Sequence, residues 1–250
     1  MNKVIVFDFD GVICDSTEEC LITGYNAWLK YQNKIGFVTK TEDIPSDLTK
    51  YFWSWRGLVR TAGQYFVIFK SYKNSELNSE SEFEQRCKRH AKEIGKYEVL
   101  FFEAREKLKN TDVNHWMGLH RPYGDIAQDF KKMLSMANVF VVTGKDKSSV
   151  RTFLKHSGID FPQAKIYDKN AARNKLAALK KIAKITKNDL KDIIFLDDNI
   201  NHLLEPKQNG CKAYMAGWGY HSEEHLQSAK KKKIPVVALE DWVKKILGKY

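Results

Sequence analysis

With 250 residues, 43% hydrophobic and 29% charged, the chain can bury a real core as one large domain or two smaller ones, which excludes a disordered protein. No apolar run approaches the roughly 20 residues that cross a bilayer, and the N-terminus lacks the features of a secretory signal, so a cytoplasmic protein is expected. The net charge of +11, from 42 basic and 31 acidic residues, admits nucleic-acid binding, attraction of small anions or simple solubility.

In chain order, Lys3–Phe7 has the β-branched and aromatic bias of a buried strand. It runs directly into Asp8, Phe9, Asp10, Gly11 and Val12. From Ser16 to about Leu119 the pattern is helical. Ser16, Thr17, Glu18 and Glu19 make a good helix opening, and Leu48–Phe69 carries an apolar side with Tyr51, Phe52, Trp55, Leu58 and Val59. Asn74–Glu80 reads as a polar connection, and Ser81–Lys109 as one or two further helices. Within this block Arg56, Arg60 and Lys70 read as surface charge. Trp53, Trp55, Tyr65 and Phe66 read as core, and His115 and His120 as structural.

The pattern changes at His120–Gly124, where Pro and Gly mark a turn. Helix 126–136 leads to strand 137–142, which ends in Thr143, Gly144, Lys145 and Asp146. Helix 148–157, strand 165–167, helix 171–185 and strand 192–196 follow, the last ending in Asp197, Asp198 and Asn199. Helix 200–208, strand 211–215, strand 236–239 and helix 240–247 complete the chain. Lys230–Lys233 reads as a solvated helix end, where cations are favoured. The alternation predicts an α/β fold, a doubly wound parallel sheet with right-handed crossovers, formed by residues 1–15 and 121–250. Residues 16–120 are expected to form an inserted all-helical cap.

Asp8 and Asp10 fall at the C-terminal end of a strand, where open α/β sheets place their ligands. Like charges so close call for a cation, a shared proton or acid/base work; the blander reading of the pair on its own is as turn formers. Two more strands end in polar signals, Thr143 with Gly144 and Asp197 with Asp198, and Lys175 stands near the start of the intervening helix. Four carboxylates, a hydroxyl and an ammonium suit a divalent cation plus a phosphoryl group, and oxygen ligands favour Mg²⁺. Cys14, Cys20, Cys87 and Cys211 form no C-x-x-C pair, against a zinc knuckle or thioredoxin-type site.

In these four segments, in this order, the chain resembles the haloacid dehalogenase superfamily, specifically its Mg²⁺-dependent phosphatases with a helical cap inserted after the first motif. The resemblance implies a Rossmann-like core, with Asp8 as the nucleophile that forms an aspartyl phosphate and Asp10 as general acid and base. It implies that Thr143, Gly144 and Lys175 hold the phosphoryl group, and that Mg²⁺ lies at Asp8, the Asp10 carbonyl, Asp198 and Asp197. The dehalogenases that name the superfamily lack an aspartate at the position of Asp10, which points to phosphoryl chemistry. The expected partner is a small phosphorylated metabolite, with neither nucleic acid nor membrane. The alternatives are a phosphomutase or phosphotransferase on the same scaffold, and a basic nucleic-acid- or anion-binding protein without turnover.

Overall fold

The computed structural model describes residues 3–73, 76–172 and 174–248. The chain divides into two compact units, Met1–Asp15 with Pro122–Tyr250, and Ser16–Arg121. Of the expected polar connection at 74–80, Asn74 and Ser75 lie outside the described residues.

The first unit is built on six strands: β1 (Val4–Phe7), β2 (Asn138–Val142), β3 (Ile166–Tyr167), β4 (Ile193–Asp197), β5 (Lys212–Ala216) and β6 (Val236–Val237). They lie in the order β3-β2-β1-β4-β5-β6 and every pairing is parallel. This is the doubly wound order, whose direction of winding reverses between β1 and β4. The register sets Phe7 beside Val141 on one side and Leu196 on the other, so the residues that follow these strands emerge along one edge.

Both faces of the sheet are covered, which is why its strands read as continuous apolar runs. On one face Val4, Val6, Phe140, Val142, Phe195 and Met215 pack against Leu179 and Ile182 of the 175–186 helix, Leu203 of the 200–208 helix and Ala229 of the 223–231 helix. On the other, the Phe7 ring lies 5.7 Å from Phe130 and 5.5 Å from Trp242. Lys230 and Lys231 occupy the last turn of the 223–231 helix.

One boundary differs from expectation with consequences for the site. The helix expected from Ala171 begins at Lys175, because Asn174 is extended and its side chain accepts the Ala177 N–H as an N-cap. Lys175 therefore stands at the first helical position. Arg173, inside the expected span, lies outside the described residues.

The second unit contains the helices Thr17–Tyr31, Ser46–Trp55, Tyr65–Ser71, Glu80–Arg89, Ala91–Thr111 and Val113–Gly118. The single helix expected over 48–69 is broken: Val59 is extended, and Thr61 opens a new turn through a capping box with Gln64. The interior is aromatic, with Tyr65 stacked at 5.2 Å on Phe52 and 5.3 Å on Phe101. Two expectations fail here. Trp53 is 53% exposed, while Arg56 is buried at 8% exposure with its guanidinium over the Tyr65 ring. A lengthwise aromatic pattern does not say which ring of a Trp-Ser-Trp triplet turns inward. Arg60 pairs with Glu84, and His115 and His120 each bond a backbone carbonyl, of Thr39 and Trp116.

Candidate active site

Three strand ends meet on one ammonium. The Asp8 N–H continues the β1 ladder by donating to the Leu196 carbonyl at 2.9 Å, which carries Asp8 to the edge of the sheet. Lys175 Nζ lies 2.8 Å from Asp8 Oδ2 and 3.1 Å from Asp197 Oδ2, and donates to the Val142 carbonyl at 2.7 Å. The groups are almost dry, with Asp8 7% and Asp197 0% exposed. Asp197 also takes the Asn199 N–H at 2.9 Å and faces His202 Nδ1 at 3.1 Å.

The electrostatics divide the two carboxylates. Burial pushes the Asp8 carboxyl up to about 6, against the pull of Lys175 and with a further push from the Asp197 charge. Burial acts on Asp197 too, but Lys175, His202 and the Asn199 N–H outweigh it and hold that carboxyl well below the ordinary range. Desolvation works against the Lys175 ammonium, yet Asp197 and Asp8 together raise it above the usual lysine value.

Asp10, two residues further on, turns to a different cation. Its Oδ1 lies 3.3 Å from Lys145 Nζ, and the Lys145 side chain is 0% exposed. Thr143 is also buried; it ends the β2 ladder by donating its N–H to Tyr167 O at 2.9 Å, and its Oγ1 accepts the Lys145 N–H at 3.0 Å. Gly144 is exposed between them. Lys145 was not among the residues expected here. Its place directly after Thr143 and Gly144 was the available signal, but a lysine in a loop ordinarily points to water.

Asp198 is seated by backbone. Its Oδ2 accepts the Tyr220 N–H at 2.7 Å. Gly11, at φ +83°, makes room for it: a Cβ there would stand 2.1 Å from Asp198 Oδ2. A Cβ on Gly219 would stand 2.2 Å from the Gly11 carbonyl oxygen and 2.4 Å from Asp198 Cβ. The segment is pinned from both sides, since Trp218 Nε1 donates to the Val12 carbonyl at 3.1 Å and the Tyr220 hydroxyl to Asp15 Oδ1 at 2.8 Å. Trp218, Gly219 and Tyr220 carry no charge, so nothing in the sequence announces contacts to Asp198 made through a backbone N–H and a missing Cβ.

Mg²⁺ prefers hard oxygen donors, and the carboxylates of Asp8 and Asp198, both buried at strand ends, are of that kind. The seat of Asp198 against the Asp10–Gly11 backbone, which any side chain at residue 11 would block, fits such a set. Asp8, Asp197 and His202 also bring ligand atoms within 4.8 Å of one another, but Lys175 already bridges the two carboxylates of that group. Among the described residues, no helix is long and apolar enough to cross a membrane.

A doubly wound α/β core with buried carboxylates, a threonine and two lysines at its strand ends is the frame of a hydrolytic enzyme. The chain belongs to the haloacid dehalogenase-like hydrolase family, whose model matches residues 2–210. A predicted phosphatase from Clostridium acetobutylicum superposes with a TM-score of 0.63 at 16% identity, covering 99% of each chain. A predicted phosphoglycolate phosphatase from Haemophilus somnus gives 0.63 at 16% identity over 98% of this chain and 97% of that one. A haloacid dehalogenase-like family protein from Streptococcus pneumoniae gives 0.60 at 13% identity over 95% and 93%. These likenesses are of fold. No curated protein sequence matches the chain.

Proposed function

We propose that the protein is a Mg²⁺-dependent phosphatase of a small phosphorylated metabolite, working through an aspartyl phosphate. The observation that carries this reading is the pairing of a buried carboxylate at the end of β1, ammonium-bound and short of positive charge, with a second carboxylate two residues on that has its own ammonium. Membership of the hydrolase family and the likeness in fold to two predicted phosphatases support it.

In the first step an Asp8 oxygen attacks phosphorus, the bond from phosphorus to the leaving oxygen breaks, and Asp10 supplies the proton that the leaving alcohol takes. In the second step water attacks the phosphoryl group, Asp10 receives its proton, and the bond to Asp8 breaks to release phosphate and restore the carboxylate. Lys175 holds Asp8 in place and offsets charge on the phosphoryl oxygens, with Thr143 and the Gly144 N–H as further donors. Asp8, the Asp10 carbonyl and Asp198, aided by Asp197, would hold Mg²⁺, which when bound neutralises oxygen charge as the phosphoryl group is transferred. No disulfide joins Cys14, Cys20, Cys87 or Cys211, which suits a cytoplasmic setting. Ser16–Arg121 then serves as the cap that selects the substrate.

The test is phosphate release from a panel of phosphomonoesters, with Mg²⁺ and with chelator. Release by the native chain with Mg²⁺, and loss of at least about a thousandfold in Asp8→Asn, is the expected result. Asp8→Asn turning over like the native chain would remove Asp8 as nucleophile. Transfer to an added alcohol in place of water would favour the phosphotransferase reading.

A further inference from the structure

Lys145 stands outside every role assigned above, yet it is the more deeply buried of the two lysines at the strand ends. Its side chain is 0% exposed, against 11% for Lys175. A lysine usually keeps its ammonium in water while its stem lies on the protein. Full burial of the charge is costly unless a counter-charge meets it, and Asp10 Oδ1 does so at 3.3 Å.

The loop bearing Lys145 is fixed at successive residues. The Lys145 N–H is held by Thr143 Oγ1 at 3.0 Å, and the Asp146 carboxylate caps the next helix through the Ser149 N–H at 2.9 Å. The Lys147 N–H donates to Asp168 Oδ2 at 3.2 Å. Phe9, between the two aspartates, is fully buried, its ring 5.9 Å from Lys145 Nζ and edge-on to Phe153 at 5.1 Å. The ammonium has a rigid base and a rigid floor.

We infer that Lys145 is a positioning residue for the acid–base group: by holding Oδ1 it fixes the orientation in which the Asp10 carboxyl exchanges a proton with the leaving group. Asp8 and Asp10 are two residues apart, and each is met by an ammonium from a different element, Lys175 from a helix start and Lys145 from the loop after β2. With separate partners the two carboxylates are kept to separate tasks. Without Lys145, Asp10 would be free to turn toward Lys175 or the cation, and proton delivery would lose its geometry.

This assignment rests on the phosphatase reading, and its test separates the two. kcat/KM, which reports the steps through departure of the leaving group, is measured over a series of substituted phenyl phosphates and one alkyl phosphate, for the native chain, Lys145→Met, Lys145→Arg, Asp10→Asn and Asp10→Asn/Lys145→Met. A group that positions the proton donor matters most where the leaving oxygen needs the proton. Lys145→Met is therefore expected to lose about 10- to 100-fold on the alkyl ester and much less on the most acidic phenol, steepening the dependence on leaving-group pKa toward that of Asp10→Asn. Lys145→Arg should recover part of the loss. The double variant should match Asp10→Asn alone, and because it removes both charges it keeps the comparison available if Lys145→Met fails to fold. Equal losses across the series, or a double variant worse than Asp10→Asn by the full factor seen in Lys145→Met, would overturn the assignment. A native chain that hydrolyses none of the esters would overturn the phosphatase reading, and this inference with it.

Discussion

Each unit of the molecule contains a buried set of charges, and the two sets are built to opposite ends. In the helical unit Arg105 meets Glu19 face to face, with Nε to Oε1 at 2.8 Å and Nη2 to Oε2 at 2.9 Å. The Thr23 hydroxyl donates to the same carboxylate at 2.8 Å, and the guanidinium lies 4.8 Å over the Phe101 ring. One cation matches one anion through a planar fork, and the set is electrically closed. In the α/β unit the Lys175 ammonium is divided between Asp8 and Asp197. Two carboxylates on one ammonium leave an excess of negative charge, and the Asp197 charge adds to the burial that pushes Asp8 up to about 6. A closed pair holds helices together and asks for nothing more. An open one draws a cation, a proton or an electrophile, so the stoichiometry of buried charge separates Glu19–Arg105 from Asp8–Lys175–Asp197 more sharply than burial itself.

The largest effect that follows is on stability. Arg105→Met leaves Glu19 buried without its cation and is expected to cost about 3–5 kcal/mol in urea unfolding, most of it recovered in Arg105→Met/Glu19→Gln. Asp8→Asn removes charge from a set that has too much of it, so its unfolding midpoint should stay level or rise. If Asp8→Asn destabilised the chain as much as Arg105→Met, the distinction between closed and open sets would be wrong.

The same contrast decides what could be read before the fold was known. The strands of the sheet were legible because burial on both faces makes them continuous apolar runs, and the strand-end placement of Asp8, Thr143 and Asp197 was legible because each closes or follows such a run. The closed pair was not: Glu19 and Arg105 are 86 residues apart and look like ordinary charges on two amphipathic helices. Lys145 was hidden for the same reason, since nothing in one dimension distinguishes a lysine turned inward onto Asp10 from one turned outward. The break at Val59–Thr61 was missed because the apolar side of the helix resumes in phase on its far side. Gly219 acts through a side chain it does not have, which no periodicity reports.

A smaller effect sharpens the account of Asp8. Its folded pKa lies above the ordinary carboxylate value, so its contribution to the stability of the metal-free chain is complete below that value and lost as pH rises through about 6. Mg²⁺ needs the ionised form and must displace the proton. Its dissociation constant should therefore rise about tenfold between pH 7 and pH 5, with close to one proton released per ion at the lower pH, as calorimetry in buffers of different ionisation enthalpy would report. An affinity flat over that interval would mean that Asp8 is already ionised and the excess charge is offset elsewhere.

The smallest effect concerns how the open set is held open. Asp198 is oriented by a backbone N–H, that of Tyr220, while the Tyr220 hydroxyl is tied to Asp15. Tyr220→Phe keeps the first bond and removes the second, along with the hydroxyl's hydrogen bond to Tyr123. It should cost about 1 kcal/mol of stability for each hydrogen bond lost, the usual net worth, and weaken Mg²⁺ binding by only about two- to threefold. Burial holds the Tyr123 hydroxyl up, and the nearby Asp15 charge adds to this. A tenfold loss of Mg²⁺ affinity in Tyr220→Phe would show that the segment is held on Asp198 chiefly through this hydroxyl. An unchanged affinity alongside the stability loss would show that the Gly11–Gly219 contact and the Trp218 bond to Val12 suffice.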